Sequence, residues 1–160
     1  MPNQEALKAA KSQAFKYLSY RDRSKKEIVL YLVKKGHNPS DIQTTLQELE
    51  KLNYINDHRF AMEWGRWRVE VKRFGKKRLQ HELLAKGIST YIIENALTDL
   101  YDSHPEQDLA LACANKKLAS LHGLEPEKKM RRLGQYLQRR GFPHDIIYET
   151  LKVSTTLPLD

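Results

Sequence analysis

Six histidines, one cysteine and twenty acidic residues are the groups from which a metal site or a catalytic centre would be built. The histidines stand at 37, 58, 81, 104, 122 and 144, and no two share the i, i+4 spacing that puts a ligand pair on one helix face. His37 and His144 fall at helix boundaries and read as loop or capping residues. Cys113 has no cysteine partner and lies in the apolar run Leu109 to Ala114, the setting of a buried small hydrophobe. No GxxxxGK[ST] loop occurs, and the seven glycines never form GxGxxG. Asp57 could in principle serve as a general base, but ahead of Arg59-Phe60-Ala61 it reads as the cap of a helix. The residues therefore predict no catalytic centre, no metal site and no cofactor.

The chemistry that remains is the binding of anions by cations, and three clusters could do it. The first is Arg21, Arg23, Lys25 and Lys26, at the entry to a helix whose backbone N–H groups also favour anions. The second is Arg66, Lys72, Arg73, Lys76, Lys77 and Arg78. Lys128, Lys129, Arg131 and Arg132 form the third, with Arg139 and Arg140 further along. Between Arg59 and Lys86 nine basic residues stand against three acidic ones, an excess of six. A run of that kind is also what a solvated helix face looks like. Trp64, Trp67 and Phe74 interleave the central cluster, but at helical spacing most such rings are core, with one of the two tryptophans near the surface. Tyr54 reads as packing under a turn. Lys34, Lys35 and Lys86 suit the negative end of a helix dipole.

Elements must position these groups, and the chain is large enough to build them. It has 160 residues, 40% hydrophobic and 30% charged, with 28 Lys and Arg against 20 Asp and Glu and a net charge of +8. Such a balance favours nucleic acid, an acidic protein surface or anionic lipid. The longest apolar stretches, Ile28 to Val33 and Leu109 to Ala114, fall far short of the roughly 20 residues of a bilayer span. The first fifteen residues lack the apolar region of a secretory signal. No membrane partner and a cytoplasmic location are expected.

Apolar residues recur every three or four positions, as in Leu7, Ala10, Ala14 and Leu18, and no stretch sustains strand alternation. Ser24 with Glu27 fits a capping box, Asn38-Pro39 a cap followed by a first-turn proline, and Asp57 and Ser89 further caps. Pro105, Pro126 and Pro143 each read as first-turn prolines. The predicted segments are 4–19, 24–35, 39–52, 57–72, 75–86, 90–102, 105–120, 126–140 and 143–153, all helices. The stretch from Ser154 to Asp160 carries Pro158 and no periodicity and reads as a flexible tail.

An internal repeat organises the nine segments. With Gly36, Gly87 and Gly141 aligned, Ile28, Leu79 and Leu133 fall eight positions earlier, and Leu32, Leu83 and Leu137 four earlier. Lys35, Lys86 and Arg140 immediately precede the glycines. Ile42, Ile93 and Ile147 follow six later, then Leu46, Leu97 and Leu151 ten later. The expected fold is all-α: three tandem three-helix repeats, over 1–56, 57–104 and 105–153, stacked into an elongated, curved array. The net charges of 1–56, 57–104 and 105–160 are +4, +2 and +2 (10 minus 6, then 9 minus 7 twice), so every unit contributes. Lys25-Lys26, Lys76-Lys77 and Lys128-Lys129 recur near the start of each middle helix, as a basic stripe would require.

Several separated blocks resemble the RecX family of regulatory proteins. They are Arg21-Asp-Arg-Ser-Lys-Lys-Glu-Ile, Leu32 to Gly36, Leu52-Asn-Tyr-Ile-Asn-Asp-His-Arg-Phe-Ala, Gly75 to Leu83, and Ala85-Lys-Gly-Ile88. The resemblance is strong over about residues 14 to 100 and looser in the third repeat. Asn53 replaces a common glycine and can also accept a left-handed backbone. Asn56 replaces a common acidic residue. The resemblance implies a monomeric cytoplasmic protein, not an enzyme, that binds the RecA nucleoprotein filament and restrains its recombinase, ATPase and coprotease activities. Single- or double-stranded DNA is a weaker, salt-dependent partner, and a protein that competes with RecA for single-stranded DNA is the alternative. The basic positions of the three clusters are the binding residues expected under either reading.

Overall fold

The structure, a computed structural model, describes residues 3–156, and among them every regular element is a helix. In chain order these are α1 (Gln4–Leu18), α2 (Lys25–Lys34), α3 (Pro39–Lys51), α4 (Asp57–Glu70), α5 (Lys76–Ala85), α6 (Thr90–Ser103), α7 (Glu106–Ser120), α8 (Pro126–Arg139) and α9 (His144–Thr156). Local chemistry accounts for the ends. Ser24 and Glu27 form the expected capping box on α2. Asn38 caps α3, with Pro39 in its first turn. The Ser89 hydroxyl accepts from the Ile92 N–H at 3.4 Å.

Four ends differ from expectation. Asp57 does not cap its own helix, because Asn56 Oδ1 accepts the Arg59 N–H at 3.0 Å and takes that place. Pro105 and Pro143 stand one residue before α7 and α9, so only α3 and α8 carry a first-turn proline. The last helix runs through Thr156, past the expected start of a tail at Ser154. There the Ser154 hydroxyl is buried and donates to the Thr150 carbonyl at 2.8 Å. The rest of the expected tail, 157–160, lies outside the described residues.

The chain divides into two compact units. One comprises the chain up to Glu63 together with Leu83–Ile93, and the other Trp64–Glu82 together with the chain from Glu94 onward. The core of the first is Ala14, Ile28, Leu32, Ile42, Leu46, Leu49 and Ile55. Each buried Leu or Ile there contributes roughly 1.5–3 kcal/mol. In the second unit Val69, Phe74, Leu79, Leu133, Leu137 and Phe142 are all at most 3% exposed. The repeat columns account for these positions. Ile28, Leu79 and Leu133 have no exposed surface, nor do Leu32, Leu83 and Leu137. The aligned glycines all take the left-handed backbone, with φ of 88°, 78° and 93° at Gly36, Gly87 and Gly141, and Asn53 takes it too, at 60°. Leu97 and Leu151, ten residues past their glycines, are only half-buried where Leu46 is buried.

One docking device is used once inside each unit. In the first unit Lys26 Nζ donates to the Ala85 carbonyl at 3.3 Å, and a Cβ on Gly87 would overlap the Lys26 side chain. The second unit has Arg78 Nη1 donating to the Arg139 carbonyl at 3.0 Å, and a Cβ on Gly141 would overlap the Arg78 backbone. Thus the first turn of one middle helix seats on the glycine turn of the next. The carboxylate that follows completes the joint. Asp57 Oδ1 accepts the Lys25 N–H at 2.9 Å, and Glu106 Oε2 accepts the Lys76 N–H at 3.4 Å. Asp57 therefore caps a helix that starts 32 residues before it. Burial pushes both carboxyl pKa values up, against the lowering effect of those N–H groups and of the neighbouring lysines.

Candidate nucleic-acid interface

The three basic clusters meet different fates, and what separates them is how each cation is held. In the first cluster the cations are matched by protein groups. Arg21 makes a bidentate pair with Glu27 at 2.9 and 3.2 Å, and Lys25 pairs with Glu50. Arg23 lies over the Tyr17 ring at 3.7 Å, and Lys26 is spent on the Ala85 carbonyl. Glu27 also takes Lys86. These contacts lie within the first unit and give the cations of its cluster protein partners.

Glu27 has a measurable signature. Burial raises its carboxyl pKa, but hydrogen bonds from Arg21, Lys86 and the Ser24 N–H, together with the Arg21 charge, outweigh burial and bring it below 4.5. A carboxyl lowered on folding contributes stability that is complete above its unfolded value and is lost as pH falls through its folded value. Glu27→Gln is expected to flatten the fall in thermal midpoint below about pH 4.5. An unchanged acid limb in a pH series of melts would remove Glu27 from that role.

The central cluster divides. Lys76 stays with Glu106, its Nζ 3.9 Å from Oε1, while Arg66 and Lys77 are exposed on α4 and α5. Lys72 and Arg78 instead line a cleft of about 500 Å³ in the second unit. Arg68, Lys117, Arg139 and Arg140 line it as well, around Phe74 and Tyr136. A second cleft of about 340 Å³ shares Lys72, Lys117, Tyr136 and Arg140 with the first and adds Arg73 and Lys116. Among the described residues no carboxylate lines either one.

Helix ends and rings place these cations. The Tyr101 hydroxyl, its pKa raised by burial, donates to the Phe74 carbonyl at 2.6 Å and pins that turn. Around the buried Phe74 ring stand Arg78 at 4.0 Å and Arg68 and Arg140 at 5.5 Å each. Arg140 Nη1 donates to the Lys72 carbonyl at 3.0 Å, as Arg78 does to that of Arg139. Lys117 and Arg140 each lie 5.1 Å from the Tyr136 ring. Carbonyls and ring faces orient a guanidinium without cancelling its charge. Of these cations only Arg68 has a carboxylate partner among the described residues, Glu82 at 2.7 Å. At the rim Trp67 is 49% exposed, whereas Trp64 donates to Glu82 at 3.0 Å and is half-buried.

Lys128, Lys129, Arg131 and Arg132 stand in the first half of α8 and line neither cleft. The end of that helix, Arg139 and Arg140, does. Lys117 and Tyr136 had no local signal, because only the tertiary fold brings them to Lys72. Arg140 had one, its place before the aligned glycine, which also fits a helix-dipole role. Tyr54 is half-exposed and meets the Phe15 ring edge-on at 4.9 Å rather than lying under the turn.

Fold and cleft together define a class: an all-α protein of repeated three-helix modules with a cation-lined cleft in its second unit. Family models of the first, second and third RecX three-helix domains match residues 10–49, 56–97 and 105–151, in that order. The chain belongs to the RecX family. It is 37% identical over 144 residues to the regulatory protein RecX of Chlorobium phaeobacteroides (strain BS1), covering 90% of this chain and 92% of that one. It is 34% identical to that of Pelodictyon phaeoclathratiforme (strain DSM 5477 / BU-1), covering 88% and 85%. The crystal structure of RecX from Lactobacillus salivarius matches 97% of this chain and 100% of its own, with a TM-score of 0.84 at 25% identity.

Proposed function

We propose that this protein binds the RecA–DNA filament and negatively modulates its recombinase, ATPase and coprotease activities, with no chemistry of its own. The reading makes it a cytoplasmic monomer of DNA repair, homologous recombination and the SOS response. The observation that carries it is the match of three RecX domains in order along one chain. Three modules, taken as 1–56, 57–104 and 105–153, can each add a weak contact to a repeating partner, and linked weak contacts multiply affinity.

The cation-lined cleft favours a second reading, in which the protein competes with RecA for single-stranded DNA. The two differ in stoichiometry and in salt dependence. A modulator of preformed filaments is expected to lower RecA's DNA-dependent ATPase at amounts well below one per RecA. Its effect should fall less steeply with salt than phosphate binding does. Titration of preformed filaments at several salt concentrations measures both. Inhibition that sets in only when the DNA is fully coated would establish competition instead.

A further inference from the structure

Five turns among the described residues place a residue in the left-handed region where glycine or asparagine relieves the strain: Gly36, Gly87, Gly123, Gly141 and Asn53. Arg73, with φ of 53°, is the exception. A long side chain with a Cβ is strained there, and strain kept at one turn of a fold that elsewhere removes it points to a use for that side chain. Arg73 lines the smaller cleft with Lys72, Lys116, Lys117 and Arg140, beside buried Cys113, whose thiol faces the Arg73 carbonyl at 3.6 Å.

We propose that the paired clefts of the second unit form one site for clustered phosphate groups, and that Arg73 occupies its strained turn to bring a guanidinium to that site. The charge pattern supports the assignment. Among the described residues, Lys72, Arg73, Arg78, Lys117 and Arg140 have no carboxylate within ion-pair distance, and none lines either cleft. Two of the three arginines are held by neutral carbonyls, so their forks are oriented before any ligand arrives. Several fixed cations around one opening suit phosphates spaced a few ångströms apart, where a lone carboxylate would leave most of them unmatched. Trp67, exposed at the rim with Lys72 at 5.5 Å, offers a face for a base next to those phosphates.

Consecutive phosphates come from two sources, a single-stranded nucleic acid or a free oligophosphate. The assignment rests on the RecA-filament reading only in its biological setting, and its test needs no RecA. The full chain is titrated into a fluorescent thymidine oligonucleotide, and inorganic tripolyphosphate is then added as competitor at constant ionic strength. The expected result is oligonucleotide binding that Arg73→Gly weakens about fivefold or more, the contribution of one phosphate contact near 0.1 M salt. Because glycine suits this turn, the variant should melt no lower than the parent chain. A purely structural Arg73 would show the reverse pattern, with unchanged affinity and altered stability.

Lys117→Gln, on α7 and away from the strained turn, should weaken binding to a similar extent and gives a second route to the same answer. Displacement by tripolyphosphate at equal ionic strength would identify clustered phosphate itself as the ligand. Failure of tripolyphosphate to displace, with both variants still weakened, would assign the site to the nucleic-acid strand. Parental affinity in both variants, or no oligonucleotide binding by the parent, would overturn the site. Loss of RecA modulation by the parent chain is a separate measurement, and it alone would overturn the filament reading.

Discussion

Gly141→Ala is expected to lower the free energy of unfolding by roughly 3 kcal/mol, the sum of two effects present together at few other positions. The first is backbone strain. At φ of 93° an L-residue loses about 1–2 kcal/mol relative to glycine. The second is overlap with the helix seated on this turn. A Cβ here would stand 2.9 Å from Arg78 Cα and closer still to its backbone nitrogen. Rigid backbone cannot swing away as a side-chain tip can, so the α5 entry must shift, at a further cost of about 1–3 kcal/mol. The bonds at risk are Gly75 N–H to the Arg140 carbonyl at 2.8 Å and Lys77 N–H to the Gly141 carbonyl at 3.2 Å.

Gly36→Ala is the control, since Gly36 has the same handedness at φ of 88° but open space where the Cβ would go. It should show the strain alone, about 1 kcal/mol. Gly75→Ala isolates the other half, since its Cβ would fall 2.5 Å from the Gly141 carbonyl oxygen. Urea unfolding of the three variants, followed by circular dichroism, gives the comparison. Equal losses at Gly36 and Gly141 would mean that the seated helix contributes nothing and that handedness accounts for the whole effect.

The aligned glycines Gly36, Gly87 and Gly141 mark how far the fold is legible in the sequence. Ile28, Leu79 and Leu133 declare themselves because helical spacing and burial leave the same local trace in each repeat. The use of Gly87 and Gly141 as seats does not, because the residues they receive, Lys26 and Arg78, stand about sixty positions earlier. Asp57 shows the same limit. Its position at the start of a helix suggests a cap, and it is one, but for Lys25 rather than for its own helix. Charge was the least legible property. Lys25 and Lys72 look alike in sequence, yet Glu50 meets the first while no carboxylate among the described residues meets the second. Whether a cation is free to bind depends on which acidic residue the fold brings within 4 Å, and no local pattern carries that information.

That difference between matched and unmatched cations leads to the largest expected effect on binding. Replacing Lys72, Lys117 and Arg139 together by alanine should weaken single-stranded oligonucleotide binding about 100-fold near 0.1 M salt, since each lost phosphate contact is worth about fivefold there. The slope of log affinity against log salt should become shallower by about 2, at roughly 0.7 per contact. Helicity should be kept, because none of the three side chains makes an ion pair among the described residues and all stand on or beside helix ends that other groups close. Replacing Arg21, Lys25 and Lys26 removes the same formal charge with the opposite outcome. Glu27 loses Arg21 and keeps only Lys86 of its two cations, and Glu50 and the Ala85 carbonyl lose Lys25 and Lys26, so the protein melts earlier, while affinity and salt slope stay close to the parent's. Fluorescence anisotropy at four or five salt concentrations measures both quantities on both variants. Parallel loss of affinity and slope in the two would show that total charge alone governs binding, and that the cleft cations of the second unit have no special standing.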